Sequence, residues 1–357
     1  MANLGVYVTG SAFLTHLAFS TVLAALSAVT VWAMTHVGVM DTPGERSSHA
    51  RPTPKGGGVG VVLAFLVGVA VLYRYAAFSR LADPYFRAVI AASVGIAIVA
   101  WLDDLMYWPA IVKLGAQVLA AAVAVGSGLY VSNVRLPGVG LVEIGWLGIP
   151  ITLIWIVATT NAVNFIDGLN GLASGVCAIT CLVLAGIAAW LGAWFIYFAS
   201  LLLAAGLAGF LPFNFPRARI FMGDVGSQFC GFVLAVLAVA AGRFETVDMS
   251  FVLVPMLLMG VLFDVVFTLV RRTLAGDRLT EAHRGHLYQL ANRSGVGAVQ
   301  VTLTHWGFAA WGGLCCVAFL AAPSPWKPAL VLAVLPPQLA WAAWVVHRAR
   351  RAPIGRW

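Results

Sequence analysis

Charge is what this sequence has least of. Of 357 residues only 21 are Lys or Arg and 13 are Asp or Glu, 10% together, where soluble domains carry about 25%. With 61% hydrophobic residues and a mean hydropathy of +0.94, that shortage excludes a soluble globular domain and a disordered chain alike. Cysteine is scarce too. Cys177, Cys181, Cys230, Cys315 and Cys316 all fall inside apolar stretches with no metal-ligand partners nearby, so they read as small core hydrophobes, not as a zinc site or a disulfide framework. No Lys or Arg precedes Arg46, so the first apolar stretch lacks the basic start of a cleaved signal peptide and is expected to remain as a helix. No internal repeat is visible, which argues against the paired halves of many transporters.

What is present is a succession of apolar runs near the length, about 20 residues, that spans a bilayer core. They fall at 11–34, 57–75, 86–101, 111–131, 147–160, 170–190, 193–211, 226–242, 251–270, 299–321 and 327–346. The expectation is an all-α polytopic membrane protein of about 11 transmembrane helices, with residues 1–357 forming a single integral-membrane domain. An external N-terminus puts 15 of the 21 basic residues on one side and 6 on the other, and the richer side is cytoplasmic by the positive-inside rule. The net charge of +8 is then a cytoplasmic face divided among short loops, and no nucleic-acid partner is inferred.

Against so apolar a background each buried polar residue is informative. Residues 155–175, WIVATTNAVNFIDGLNGLASG, carry Asn161, Asn164, Asp167 and Asn170 at steps of three. That spacing lets Asn164 and Asp167 converge near the end of a span, although such residues also cap helix ends around a turn like Gly168–Gly171. At the end of the third span Asp103 and Asp104 are adjacent, ten residues before Lys113. Side-by-side carboxylates repel unless a cation lies between them, so the pair suits a base or a metal site, or else it solvates a helix end near Pro109. The loop 41–58 has three prolines, four glycines and the cations Arg51 and Lys55. Its Gly56–Gly58 run would let main-chain amides approach an anion, or the loop is a stiff connection with snorkelling cations.

In 214–227, NFPRARIFMGDVGS, Asp224 sits between Gly223 and Gly226 among Asn214, Arg217 and Arg219. A carboxylate at a helix start among cations suits a metal that also carries phosphate. Asp264, inside the ninth span, is expected to pair with Arg271 and Arg272. The loop 271–297 holds His283, Arg284 and His286, which could clamp a pyrophosphate or contact anionic lipid. Residues 132–146 read as a short outer loop with brief alternation and no chemistry. Carboxylates for a metal and cations for phosphate thus lie on one membrane face, which points to phosphoryl transfer at the membrane surface. The alternative is a transporter of an anionic lipid or sugar phosphate, which would place its ionisable groups near the midplane.

These motifs, in this order, resemble the polyprenyl-phosphate N-acetylhexosamine-1-phosphate transferases, the WecA and MraY superfamily (glycosyltransferase family 4), over nearly the whole chain. The matching segments are RSSHARPTPKGGG, LDD with Lys113, NAVNFIDGLNGLASG, FNFPRARIFMGDVGS and the loop with HRGH. The resemblance implies transfer of a sugar-1-phosphate from a UDP-sugar to undecaprenyl or another polyprenyl phosphate, releasing UMP. The site would face the cytoplasm of a bacterial inner membrane, with Mg²⁺, or Mn²⁺ in its place, as cofactor and a homodimer as a compatible assembly. By position, Asn164 and Asp224 would hold the metal, Lys113 would meet phosphate, and Asp103 or Asp104 would orient or deprotonate the lipid phosphate. Asp167 would give catalytic support, Asn170 and Phe221 would meet the uracil, and Arg284 with His286 would close over the phosphates, with Lys55, Asn214 and His283 beside them. Two departures bear on the substrate. Asn170 stands where many bacterial members have an aspartate, and His286-Leu287-Tyr288-Gln289 replaces the histidine run of the peptidoglycan branch. The first would make the uracil contact an amide instead of a carboxylate, and the second favours the WecA branch and a small UDP-HexNAc donor, feeding O-antigen or another surface glycan.

Overall fold

A computed structural model describes residues 10–42, 51–75, 84–136, 140–243, 249–278, 283–355 and 357. Arg46 and the SSHA portion of the first-loop motif lie outside the described residues. With no water in the bilayer to satisfy peptide groups, apolar runs of this length close their hydrogen bonds as helices. The chain forms α1 (Gly10–Met34), α2 (Gly58–Tyr75), α3 (Pro84–Met106), α4 (Ala110–Gly126), α5 (Gly148–Ile166), α6 (Leu172–Leu191) and α7 (Trp194–Asn214). It continues through α8 (Gly223–Arg243), α9 (Leu253–Leu257), α10 (Met259–Leu274), α11 (Leu287–Arg293), α12 (Ala298–Ala321), α13 (Lys327–Leu332) and α14 (Leu335–Arg351). Among the described residues nine helical segments are long and apolar enough to cross a membrane. The two remaining predicted spans correspond to the shorter α4 and to α9 and α10, which are separated at Leu258.

Two boundaries differ from expectation for the same reason. The third span reaches Met106 instead of residue 101, and the fifth reaches Ile166 instead of residue 160. Hydropathy falls at Asp103, Asp104, Asn161 and Asn164, but the helices continue because each of these side chains finds a hydrogen-bonding or ionic partner inside the bundle. Two short strands, β1 (Asn133–Leu136) and β2 (Gly140–Glu143), pair antiparallel, matching the alternation read there. The five cysteines are buried and unpaired.

α8 is the central post. Residues Val225 to Ala241 are buried on every face, and α2, α3, α5, α6, α7 and α9 pack around it. The starts of α2, α4, α6 and α8 meet the ends of α3, α5 and α7 at one end of the bundle. There the first loop is tied to the start of α8. Phe221 N donates to Pro54 O at 2.8 Å, Gly57 N to Phe221 O at 2.9 Å and Gly58 N to Met222 O at 2.8 Å. Contact this close requires the absence of a side chain. A Cβ on Gly58 would lie 2.3 Å from Gly226 Cα and 2.4 Å from its nitrogen. The glycine run therefore serves packing between two chain segments. The amides of Gly57 and Gly58 are committed to protein carbonyls, which corrects the expectation that they face an anion.

Candidate active site

At this end of the bundle the acidic and basic residues singled out from the sequence converge. Lys113, in the first turn of α4, places Nζ 2.9 Å from Asp103 Oδ2 and 3.0 Å from Asp224 Oδ2. Lys55, 8% exposed, lies 3.5 Å from Asp104 Oδ1 and 4.4 Å from the ring centroid of Tyr107. The adjacent aspartates thus take different cations, as side chains about 100° apart on a helix must. Asp103 Oδ1 also accepts from Trp108 N at 2.8 Å, which is how the end of α3 is closed. Asp104 Oδ2 accepts from Val225 N at 3.3 Å, one of the unpaired amides at the start of α8. Gly223, at φ +75°, makes that approach, since a Cβ there would lie 2.6 Å from Asp104 Oδ2.

Asp224 accepts three side-chain donors besides its place at a helix N-terminus, where the dipole favours a negative charge. Asn164 Nδ2 reaches Oδ1 at 3.0 Å, and Gln228 Nε2 and Lys113 Nζ reach Oδ2 at 3.2 and 3.0 Å. A quarter of the Asp224 side chain stays exposed, so it remains open to a ligand. Asp167 follows the last residue of α5. Burial pushes its carboxyl well above the usual range, and the charges of Asp224 and Asp104 add to the effect. Asn164 bonds Asp224 directly, and the charge of Asp224 reaches the Asp167 carboxyl without a bond between them.

Two site residues carry no signal in the motifs. Asn161 Nδ2 donates to Gln117 Oε1 at 2.5 Å, Gln117 Nε2 to Gln228 Oε1 at 3.0 Å, and Gln228 to Asp224. This row of amides runs from within the bundle to the carboxylate, each bond between its members donating toward it. Gln117 lies four residues after Lys113 and Gln228 four after Asp224. A search for polar side chains one helical turn from a site residue inside an apolar run would have found both.

The remaining candidates divide. Phe221 is half-buried, and its backbone bridges to the first loop. Asn170 stays at the surface, with Nδ2 3.3 Å from Pro216 O. Asn214 is 3% exposed and turned into the protein. Its Oδ1 accepts from Gly171 N at 2.7 Å and its Nδ2 donates to Ile220 O at 3.0 Å. It joins the 167–171 turn to the segment before α8 and presents nothing to a substrate. Asn214→Ala should lower the melting temperature in detergent, because it strands two backbone groups at about 1–3 kcal/mol, while the donor KM stays at the wild-type value.

The last loop lies beside the end of α5. The His286 ring lies near those of Phe165 and His283, tilted to both, with centroids 6.0 and 5.0 Å away. Tyr288 donates its hydroxyl to Phe165 O at 3.0 Å, and burial raises its phenol pKa. His283 is lowered to about 4 by burial and then by the charges of His286, Arg272 and Arg271. It is therefore neutral near pH 7 and accepts from Gly285 N at 3.1 Å, so it shapes the loop and adds no charge for a phosphate. The backbone of this segment is held by Arg293 Nη1 on Arg284 O at 2.9 Å and Arg271 Nη2 on Gly285 O at 3.2 Å. Asp264 departs from expectation. It turns to His286 at 2.9 Å, whereas Arg272 lies 3.9 Å from Asp277.

The profile of glycosyl transferase family 4 matches residues 86–242, the stretch that supplies Asp103, Asp104, Lys113, Asn164, Asp167 and Asp224. A probable undecaprenyl-phosphate N-acetylglucosaminyl 1-phosphate transferase of Bacillus subtilis is 32% identical over 254 residues, 71% of this chain and 69% of its own. The chain belongs to this family. A decaprenyl-phosphate N-acetylglucosaminephosphotransferase of Mycobacterium tuberculosis is 33% identical over 312 residues, 81% of this chain and 76% of its own. A phospho-N-acetylmuramoyl-pentapeptide-transferase of Acetivibrio thermocellus is 34% identical over 202 residues, 52% of this chain and 59% of its own. As a member of glycosyl transferase family 4, the chain is a multi-pass sugar-phosphate transferase of the WecA and MraY superfamily, and the carboxylate and lysine cluster is its candidate reaction centre.

Proposed function

We propose that the protein transfers an N-acetylhexosamine-1-phosphate from a UDP-sugar to a polyprenyl phosphate, giving a polyprenyl-diphosphate-sugar and UMP, as the first membrane step of a surface glycan. The observation that carries this reading is the meeting of Lys113 with Asp103 and Asp224, and of Lys55 with Asp104, at one end of the bundle. Groups gathered there favour chemistry at a membrane surface over a transport path through the midplane. The basic residues, 15 against 6, orient this end to the cytoplasm, where a nucleotide sugar would be met.

Three carboxylates, Asp103, Asp104 and Asp224, face two lysines, so the cluster has an excess of negative charge and offers oxygen donors. Among the described residues no three acidic, His or Cys side chains converge to hold a metal by themselves. That set fits Mg²⁺, which commonly takes one or two protein oxygens and completes its shell with substrate phosphates. Asp224 and Asn164 would hold it. Bound there, the ion supplies charge neutralisation on the pyrophosphate.

The other steps belong to the chain. Asp103 or Asp104 orients the acceptor phosphate and takes its proton when it enters protonated. An acceptor oxygen attacks the sugar-bearing phosphorus, the bond from that phosphorus to the bridging oxygen breaks, and UMP leaves with the bridging oxygen. Lys113 and Lys55 stabilise the charge that shifts along this line, an effect that positioned cations give with little reorganisation. Arg284 and His286 would close over the donor phosphates, and Phe221 and Asn170 would meet the base. Purified protein with UDP-GlcNAc, undecaprenyl phosphate and Mg²⁺ is expected to release UMP and form lipid-linked sugar diphosphate in equal amounts. Absence of UMP with every member of a panel of UDP-HexNAc donors would reject the reaction, and the donor giving the highest kcat/KM would identify the sugar.

A further inference from the structure

Asp264 lies in α10, outside the Lys113 cluster, and is 1% exposed. On α10 it belongs to the buried stripe Val261, Asp264, Val265, Thr268 and Arg272, whose spacing of three and four residues faces the bundle. A buried carboxylate is costly unless donors surround it, and those around Asp264 come chiefly from one short segment. Oδ1 accepts from Leu287 N at 3.0 Å and lies 2.9 Å from His286 Nδ1, with Thr268 Oγ1 at 3.4 Å. Oδ2 accepts from Tyr288 N at 3.0 Å. One side chain of α10 thus grips three consecutive residues, His286 at the end of the HRGH motif and Leu287 and Tyr288 in the first turn of α11.

The grip has a chemical consequence for His286. A carboxylate only accepts, so the bond requires the imidazole proton on Nδ1 and fixes the plane of the ring. Nε2 is then the remaining polar atom of the side chain, and no described residue bonds to it. The ring stands between His283 and Phe165, and Phe165 directly follows Asn164 on α5. We propose that Asp264 is a positioning residue for the transfer reaction: through Nδ1 it holds His286 with Nε2 available to the donor phosphates, so the loop enters the site already oriented. This rests on the reading of His286 as a donor contact.

The experiment is a double-mutant cycle of Asp264→Asn and His286→Gln in the full chain, with kcat, donor KM, acceptor KM and melting temperature measured for each protein. Each single variant is expected to raise the donor KM about 10-fold, the scale on which loss of an orienting partner acts, with little change in acceptor KM. The double variant is expected to be no worse than His286→Gln alone, because an orienting residue has nothing left to orient. Thr268→Val, which removes another partner of the carboxylate, should leave the donor KM unchanged. Losses that multiply in the double variant would show Asp264 acting on the fold and overturn the proposal. A wild-type donor KM in His286→Gln would overturn the reading of His286 itself and the proposal with it, and that single variant tells the two failures apart. Should Asp264→Asn not accumulate as folded protein, Asp264→Glu keeps the charge while displacing the ring, and its donor KM should rise about 3-fold. An unchanged donor KM in either folded variant overturns the assignment.

Discussion

Asp224→Asn should lower turnover by about 10²-fold or more, the loss typical of removing one strong electrostatic contact from a transition state, while the protein remains folded. Asparagine matches the shape of aspartate and a quarter of this side chain is already exposed, so packing barely changes. What changes is charge. Lys113 keeps Asp103 at 2.9 Å but loses one of its two carboxylates, and the row of amides through Gln228 and Gln117 then points its donors at a neutral group. In the proposed reaction the same oxygens would meet Mg²⁺, so the variant should need far more of it for half-maximal rate. Asp103→Asn should also be severely impaired, but its defect should persist at saturating Mg²⁺, because that carboxylate would serve the acceptor phosphate. A magnesium titration of UMP release, with melting temperatures alongside, decides both. Near-normal turnover of Asp224→Asn at low Mg²⁺ would move the metal assignment to Asp103 and Asp104.

Gly58→Ala, one added methyl group, is expected to cost about 10²-fold in kcat/KM, the scale of a displacement of about 1 Å in a reacting geometry. The new Cβ would meet Gly226 Cα at 2.3 Å, Gly226 N at 2.4 Å and Met222 O at 2.9 Å. All three are backbone atoms, so no rotamer change relieves the clash and the two segments must separate. One carries Lys55 and the other Asp224, so the separation moves Lys55 relative to both Asp104 and Asp224. Overpacking of this kind also destabilises by about 1–3 kcal/mol, and the melting temperature should fall. Gly95→Ala and Gly115→Ala are the controls, since nothing lies within 4 Å of a Cβ at either. Both should keep activity within about twofold. Equal losses at Gly58 and Gly95 would mean that added volume anywhere in the bundle, and not the loop contact, is what is measured.

The sequence by itself determined that this is a helical membrane protein, because apolar runs of span length leave the backbone no other way to satisfy its hydrogen bonds. It determined much of the residue set as well. Aspartates and asparagines such as Asp103, Asn164 and Asp224 stand out in a chain with so little charge, and their motifs carried the family resemblance. Which cation answers which carboxylate was settled only by tertiary structure. Lys55 and Asp104 are joined by packing between α2, α3 and the start of α8, and a periodicity within one helix holds no information about a partner on another. The same applies to Asn214, whose polar side chain looked suited to a ligand and whose neighbours in space are backbone groups of two turns. Asp264 shows the limit most clearly. Arg271 and Arg272 are close to it along the chain, but the folded loop brings His286 and two amides nearer, and for a buried carboxylate it is proximity in space that sets the partner.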